Sequence, residues 1–327
     1  MENDIEWTEP DKAFEQKLRP GKLAEFVGHE DVKKKLRVFI GAARGRNETL
    51  GHALFHGPPG LGKTTLAGIV AAELGTNLVT TSGPAIEKPG DLAGILTNLQ
   101  EGDVLFIDEI HRLNRAVEEY LYPAIEDFVL DLMLDSGPSA RTVQVSLNQF
   151  CLVGATTRSG LISSPLRSRF NFTCRLDYYP AEVLQEIVMR SGVILGVELS
   201  SKGALCIGQR SRGTPRVANN LLRWVRDYAQ VHDVKLIDED CVDLALQMLS
   251  IDHRGLDEMD KKYLKVIIEH YEGGPVGVGT LSAALGEEEM TLSEVYEPYL
   301  IMQGLLKRTR QGREVTALAY KHLEEIS

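Results

Sequence analysis

The chain has 327 residues, 43% of them apolar and 25% charged; the length predicts two or three domains, and the composition excludes a disordered or fibrous protein. Its 36 Lys plus Arg against 47 Asp plus Glu give a net charge of −11, so any nucleic-acid contact must come from a local basic patch. Apolar runs such as Val104 to Ile107 fall far short of the roughly 20 residues that span a bilayer, which excludes a membrane helix.

The acidic start MENDIEWTEP lacks the basic and apolar regions of a secretory signal, so a cytoplasmic location with no membrane association is expected. Glu2, Asp4, Glu6 and Glu9 suggest no role. Cys151, Cys174, Cys206 and Cys241 form no CxxC pair, which argues against zinc and against a disulfide framework. No internal repeat or low-complexity segment is evident.

From about residue 50 to 178, the strand-like runs HALFH, NLVTTS, DVLFIDE, FCLVGATT and FTCRL alternate with helix-like stretches. That alternation predicts an α/β domain with helices flanking a mostly parallel sheet. After the first run, residues 57–64 read GPPGLGKT and fit the phosphate-loop pattern GxxxxGK[ST], followed by a helical stretch. Gly57, Gly60 and Gly62 let consecutive N–H groups converge on phosphate oxygens at a helix start. Lys63 adds charge for the β and γ phosphates, and the Thr64 hydroxyl is placed to ligate Mg²⁺. The run VLFIDE then carries Asp108 and Glu109 at a buried strand's end. Asp108 would hold Mg²⁺ and Glu109 would activate the water that attacks the γ phosphate, unless Glu109 merely opens the next helix.

Between Val129 and Leu147, the arms VLDLML and TVQVSL flank DSGPSAR, a pattern that predicts a β-hairpin inserted in the α/β domain. Leu130, Leu132 and Leu134 alternate with Val129, Asp131 and Met133, so both faces of the first arm carry apolar groups. Either a partner covers that surface or the hairpin folds back on its own core. GATTRSG places Thr157 at the next strand end, where it can sense the γ phosphate. In SSPLRSRF, Ser164 reads as an N-cap and Pro165 as the first helical residue, which puts Arg167 and Arg169 on a short helix. In a ring of ATPases an arginine there can reach the neighbour's γ phosphate, and the residues alone leave Arg167 and Arg169 tied.

From Ala181 to Ser250 the apolar spacing is helical, predicting a small helical domain. RGTPR within it puts Arg216 near a helix start, where it can bring charge to the nucleotide. After Asp252 to Gly255, further helical stretches lead to LLKRTRQGREVTAL, two short β-like arms that suggest a winged-helix module. Pro298 to Arg313 contains Lys307, Arg308, Arg310 and Arg313 and no acid, a patch suited to salt-dependent, sequence-independent contact with DNA phosphates.

Taken in order, GPPGLGKTT, VLFIDEIHRL, GATTR, SPLRSRF and RGTPR resemble an AAA+ ATPase. LRPGKLAEFVG, TTSGPAIEKPGDLAGILTNL, EEYLYPAIEDF, GGPVGVGTL and EPYLIMQGLLKRTRQGR narrow the resemblance to the RuvB family, the bacterial Holliday-junction branch-migration motors of recombination and repair. It covers residues 18 to 322. It implies an AAA+ P-loop ATPase domain with an inserted β-hairpin (1–179), a small helical lid (180–252) and a C-terminal winged-helix domain (253–327). ATP and Mg²⁺ are the implied cofactors. By resemblance Leu18 and Arg19 border the adenine, and Gly60, Gly62, Lys63, Thr64 and Thr65 hold phosphates and Mg²⁺. Glu126, Asp127, Phe128 and Tyr179 line the nucleotide cleft. Arg169 is the finger acting in trans, which breaks the tie with Arg167, while Arg216 is a second sensor and Arg308 and Arg313 meet DNA. The resemblance further implies a hexameric ring on duplex DNA, RuvA docking on the hairpin at the four-way junction, and the RuvC resolvase. A clamp-loader-like AAA+ switch would share SRF but end in a helical collar. A small-molecule kinase would leave Arg169, Arg216 and the last third of the chain unexplained.

Overall fold

The computed structural model describes residues 9–133 and 142–326; Glu2, Asp4, Glu6 and the DSGPSAR tip lie outside them. The chain divides into two compact units, one running to Tyr179 together with Thr214–Arg216, the other comprising Pro180–Gly213 and the residues from Val217 onward.

In the first unit, helices α1 (Glu9–Leu18) and α2 (Glu30–Arg46) precede strand β1 (Ala53–His56), helix α3 (Lys63–Leu74), strand β2 (Leu78–Ser82), helix α4 (Pro89–Leu96) and strand β3 (Val104–Asp108). Helix α5 (Arg115–Glu126), the hairpin β4 (Val129–Met133) and β5 (Thr142–Ser146), strand β6 (Cys151–Thr156), the short helix α6 (Ser164–Arg167) and strand β7 (Phe172–Arg175) follow. The five strands β2-β3-β6-β1-β7 form one sheet in that order, and every pairing in it is parallel. β6 is buried along its whole length and β1 and β3 along all but their last residue, as expected for central strands covered by helices on both faces. The core around them includes Leu54, Ile107, Leu121, Phe150, Leu152 and Phe170. The cap of α6 is Ser163 rather than Ser164, because the Ser163 hydroxyl accepts from the Leu166 N–H at 3.3 Å. The helix therefore ends at Arg167, and Arg169 lies just beyond it.

The hairpin forms with Val129 opposite Ser146 and Met133 opposite Thr142. Leu130 of its first arm is fully buried in the domain core, where Phe128 and Leu147 also pack. Among the hairpin's described side chains Val143 is an exposed large apolar group.

The second unit begins with helices α7 (Ala181–Leu195), α8 (Ser201–Arg210), α9 (Pro215–Val231) and α10 (Glu239–Gln247). Its apolar spacing buries Leu184 and Val188 on α7 and Leu221, Leu222 and Val225 on α9. A two-residue parallel pair, β8 (Glu198–Leu199) with β9 (Leu236–Ile237), ties the bundle together; it is too short to leave a strand signature in sequence. Helices α11 (Glu258–Tyr271), α12 (Val278–Leu285), α13 (Glu289–Thr291) and α14 (Glu297–Met302) then lead to the antiparallel wing β10 (Leu306–Arg308) and β11 (Arg313–Val315). Tyr263, Leu264, Ile267, Leu281, Leu300 and Leu306 form a second core. A further helix, α15 (Ala317–Glu325), follows the wing, so the module does not end on its basic arms. No helix among the described residues is long and apolar enough to cross a membrane.

Candidate active site

The phosphate loop lies at the C-terminal end of β1. Gly57 has φ 141°, and a Cβ there would meet the Leu176 carbonyl oxygen at 2.2 Å, so only glycine allows the strand to turn so close to its neighbour. Gly62 (φ 99°) starts α3 in the left-handed region. The first helical bond runs from the Leu66 N–H to the Gly62 carbonyl. The N–H groups of Lys63, Thr64 and Thr65 precede it and point out of the helix start, the arrangement that receives a phosphate. The Lys63 ammonium donates to the Gly57 and Pro58 carbonyls, each at 2.8 Å. Burial depresses its pKa, opposed by the charges of Asp108 and Glu109. An anion delivered there meets a desolvated cation and the helix's positive end, so the cradle fits a polyphosphate.

Asp108 ends β3 and Glu109 follows it, two strands away from β1 in the sheet. The Glu109 N–H donates to Asp108 Oδ1 at 2.9 Å, which turns the second carboxylate out of the strand's line at φ 47°. The Thr157 hydroxyl donates to Glu109 Oε2 at 3.1 Å, so the structure joins the proposed base to the proposed sensor directly. His111, which the motif reading passed over, lies 3.1 Å from the same oxygen and 2.9 Å from the Thr156 hydroxyl. Burial lowers its pKa, partly offset by Glu109; a neutral imidazole here orients Glu109 without neutralising it. Its signal in the sequence was its position two residues after Glu109.

Around the loop the structure gathers several residues from elsewhere in the same unit. The Arg216 N–H donates to the Gly60 carbonyl at 3.4 Å, and its guanidinium lies 3.5 Å from Glu15. Glu15 also pairs with Arg19 at 3.2 Å, which brings the Leu18–Arg19 segment to the same side. The Tyr179 hydroxyl donates to the Leu61 carbonyl at 3.2 Å; its ring meets His29 edge-on at 4.5 Å, and burial raises its pKa.

Glu126, Asp127 and Phe128 do not join this group. α5 starts beyond the C-terminal end of β3 and returns along the sheet, so its last turn reaches the N-terminal end of β1. There His52 Nε2 donates to the Ile125 carbonyl at 2.7 Å, and the Phe128 ring lies 6.3 Å from the imidazole. Within one chain, residues 126–128 and Tyr179 therefore stand at opposite ends of the sheet. Arg169 is at this end as well, two residues before Asn171, whose N–H donates to the His52 carbonyl. Its guanidinium holds Glu126 Oε2 at 2.7 Å and stacks 4.7 Å from the centre of the Tyr122 ring. Tyr122 in turn donates to Glu118 at 2.7 Å, a support for Arg169 that carries no sequence motif. A cavity of about 500 Å³ opens here, lined by Glu48, His52, Glu126, Phe128, Arg169 and Asn171 among others. Arg167 instead bonds the Ser159 carbonyl.

On the wing, Arg308 and Arg313 stand directly opposite each other in the ladder. Such like-charge pairs repel, and the fully buried Glu297 resolves the conflict by accepting from both guanidinium Nε atoms. It also accepts from the Tyr263 hydroxyl at 3.0 Å. Glu297 lies one residue before the acid-free window, so the patch carries less net charge than its basic count suggests. Lys307 and Arg310 are exposed, as is Arg308; Arg313 is half-buried.

Three family models match the chain in succession: the Holliday junction DNA helicase RuvB P-loop domain at residues 18–176, the RuvB AAA lid domain at 179–252 and the RuvB C-terminal winged helix domain at 253–324. The chain is 64% identical over 311 residues to the Holliday junction branch migration complex subunit RuvB of Protochlamydia amoebophila, covering 95% of this chain and 94% of that protein. It belongs to the RuvB family. The family subunit of Chlamydia pneumoniae is 55% identical over 324 residues, 99% of this chain and 96% of that one. Among solved structures, the Thermotoga maritima RuvB Holliday junction branch migration motor superposes with a TM-score of 0.85 at 55% identity, covering 94% of this chain and 99% of that one. The AAA+ fold with lid and winged helix thus belongs to a RuvB-family ATP hydrolase.

Proposed function

We propose that the chain works as one subunit of a homohexameric ring in which each ATP is bound by one protomer and hydrolysed with the help of the next. As a RuvB-family protein it is an ATP-driven branch-migration motor that acts on Holliday junctions in recombination and repair. The observation that carries the trans mechanism is the polarity of the sheet. The phosphate loop leaves the C-terminal end of β1, whereas Arg169 and Glu126 sit at its N-terminal end, a strand's length of about 13 Å away. With all sheet strands parallel, Arg169 cannot serve its own loop, but it is displayed where a neighbour's loop can dock.

In this reading Lys63 and the N–H groups at the start of α3 bind the phosphates, while Leu18 and Arg19 border the adenine. Thr64 and Asp108 would hold Mg²⁺, which would supply charge neutralisation to the phosphates. Glu109, aimed by Thr157 and His111, takes the proton of the attacking water. Arg169 of the adjacent protomer stabilises the charge that develops on the γ phosphate, with Glu126 releasing it on docking. Arg216 reports nucleotide state to the lid. Domain boundaries at 179/180 and 252/253 would let the lid turn as a body and carry the winged helix along duplex DNA, with Arg308 and Arg313 at the phosphates beside Lys307 and Arg310. RuvA is the partner for the exposed part of the 129–147 hairpin, RuvC the associated resolvase, and the cytoplasm the location.

A junction-unwinding assay with purified chain, ATP and Mg²⁺, run with and without a junction-binding partner, separates this motor from a clamp-loader-like switch. Turnover per chain should rise steeply with protein concentration as the ring assembles. Full-speed hydrolysis by a dilute monomer would overturn the trans mechanism.

A further inference from the structure

The turn that follows the lid helices meets the terminal helix α15 through a set of side chains that the motor mechanism does not use. Asp252 Oδ1 accepts from the Arg254 and Leu256 N–H groups at 2.9 and 3.0 Å, which fixes its carboxylate. Its Oδ2 lies 2.8 Å from His322 Nε2. The His322 side chain is fully buried, and its other ring nitrogen, Nδ1, is buried with no hydrogen-bond partner. A buried imidazole normally satisfies both nitrogens, so an orphaned one calls for a missing partner. Beside it stand His253, whose ring centre is 5.1 Å from that of His322, and Glu325. One ligand atom from each of His253, His322 and Glu325 lies within 4.8 Å of the others.

We propose that His253, His322 and Glu325 form a binding site for a zinc-like transition-metal ion, with Asp252 as the positioning carboxylate. The donor set decides the class of ion: two imidazoles and one carboxylate suit zinc and its neighbours, whereas Mg²⁺ and Ca²⁺ favour all-oxygen shells. Asp252 does what carboxylates do behind metal-bound histidines. By accepting the Nε2–H it holds His322 in the tautomer whose lone pair is on Nδ1. Tetrahedral ligation at about 2.1 Å needs donor atoms about 3.4 Å apart, so the three need draw together by no more than about 1.4 Å. His253 and Glu325 are both exposed, one on a turn and the other in the last turn of α15, and either side chain can swing while His322 stays fixed. The competing Lys321–Glu325 pair is long, at 3.8 Å, and solvent-exposed, a weak rival for the carboxylate. Three protein ligands at a solvent-facing site leave one position to water. The bound ion would staple the C-terminal helix to the turn at residues 252–254, where the lid joins the winged helix.

The test uses the full chain stripped of metal, with Zn²⁺ and Co²⁺ as probes and excess Mg²⁺ present to mask the nucleotide site. The wild type should take up one equivalent of Zn²⁺ by equilibrium dialysis, show a Co²⁺ ligand-field spectrum, and melt at a higher temperature with Zn²⁺. All four cysteines are buried, so thiolate bands should be absent from that spectrum. His253→Ala and Glu325→Gln alter exposed positions outside the ATPase machinery, so both should fold, keep basal ATP hydrolysis and lose the equivalent. Asp252→Asn keeps the Oδ1 acceptor but presents an amide donor to Nε2, which moves the ring proton onto Nδ1; affinity should fall about 10- to 100-fold. No Co²⁺ spectrum in the wild type, or equal Zn²⁺ uptake by wild type and His253→Ala, would overturn the proposal.

Discussion

The two ends of the five-stranded sheet are built by opposite strategies. At the C-terminal end, the phosphate loop, Asp108–Glu109 and Thr157 each continue directly from a strand, so strand and chemistry are adjacent in sequence. At the N-terminal end, Arg169, His52 and the α5 pair Glu126 and Tyr122 come from three different segments, and only the return of α5 and the entry to β7 bring them together. The first end binds a ligand with parts that one chain supplies in order. The second offers a guanidinium balanced by a carboxylate, which in the proposed ring would let go of Glu126 when a neighbour's phosphate arrives.

The sharpest way to break this contrast is to remove a group from each end in turn. Lys63→Ala should leave the fold intact by circular dichroism and abolish ATP turnover; near-normal hydrolysis would remove the assignment of the first end. Arg169→Ala should lower turnover by roughly 10³ to 10⁵, with nucleotide binding retained in a fluorescence titration. Mixing it with Glu109→Gln should restore part of the rate, since an intact finger then meets an intact base; a rate equal to the sum of the two separate variants would count against trans action.

Smaller effects sharpen the picture. On the wing, Arg308→Ala should reduce the slope of log K against log salt for duplex binding by about one unit. Arg313→Ala should lower that slope as well and also cost stability, up to about 3–5 kcal/mol in a denaturant titration, because it strips a partner from the buried Glu297 carboxylate. The smallest effect concerns His52. Nε2 donates to the Ile125 carbonyl while Nδ1 accepts from the Leu152 N–H at 3.0 Å, so the folded state holds the neutral ring, and burial lowers its pKa below the usual 6.5. The unfolded chain then binds the proton more readily. Its stabilising contribution is complete above about pH 6.5 and is lost as the pH falls toward the folded-state pKa, at no more than about 1.4 kcal/mol per pH unit. Urea midpoints at pH 7.5 and 5.5 should show the drop, shared with His29, His56 and His111, whose pKa values are lowered likewise. A flat profile would mean that the rings are not held neutral.

Much of this was legible in the sequence. β1, β3 and β6 were visible as apolar runs because central parallel strands are buried on both sides, while the edge strands β2 and β7, largely open to solvent, were marked only by their alternation with helical stretches; the glycines of the phosphate loop announce a backbone that other residues cannot adopt. What escaped was decided by tertiary return paths. Nothing local says that Phe128 ends up beside His52, that Glu297 bonds two arginines eleven and sixteen residues away, or that His322 meets Asp252 across seventy positions. The two readings of the hairpin's first arm, a partner's cover or packing on its own core, stay open in sequence for the same reason, since alternation cannot tell which of two apolar faces finds a core.

In the proposed ring, the sheet's polarity would also govern how damage spreads. A protomer lacking Lys63 silences the one seam where it holds nucleotide, yet still lends its guanidinium to the next. A protomer lacking both Lys63 and Arg169 silences two seams. Doping wild-type rings with single or double mutants should therefore give inactivation curves whose initial slopes differ by a factor of about two, a count of shared borders made without seeing the ring.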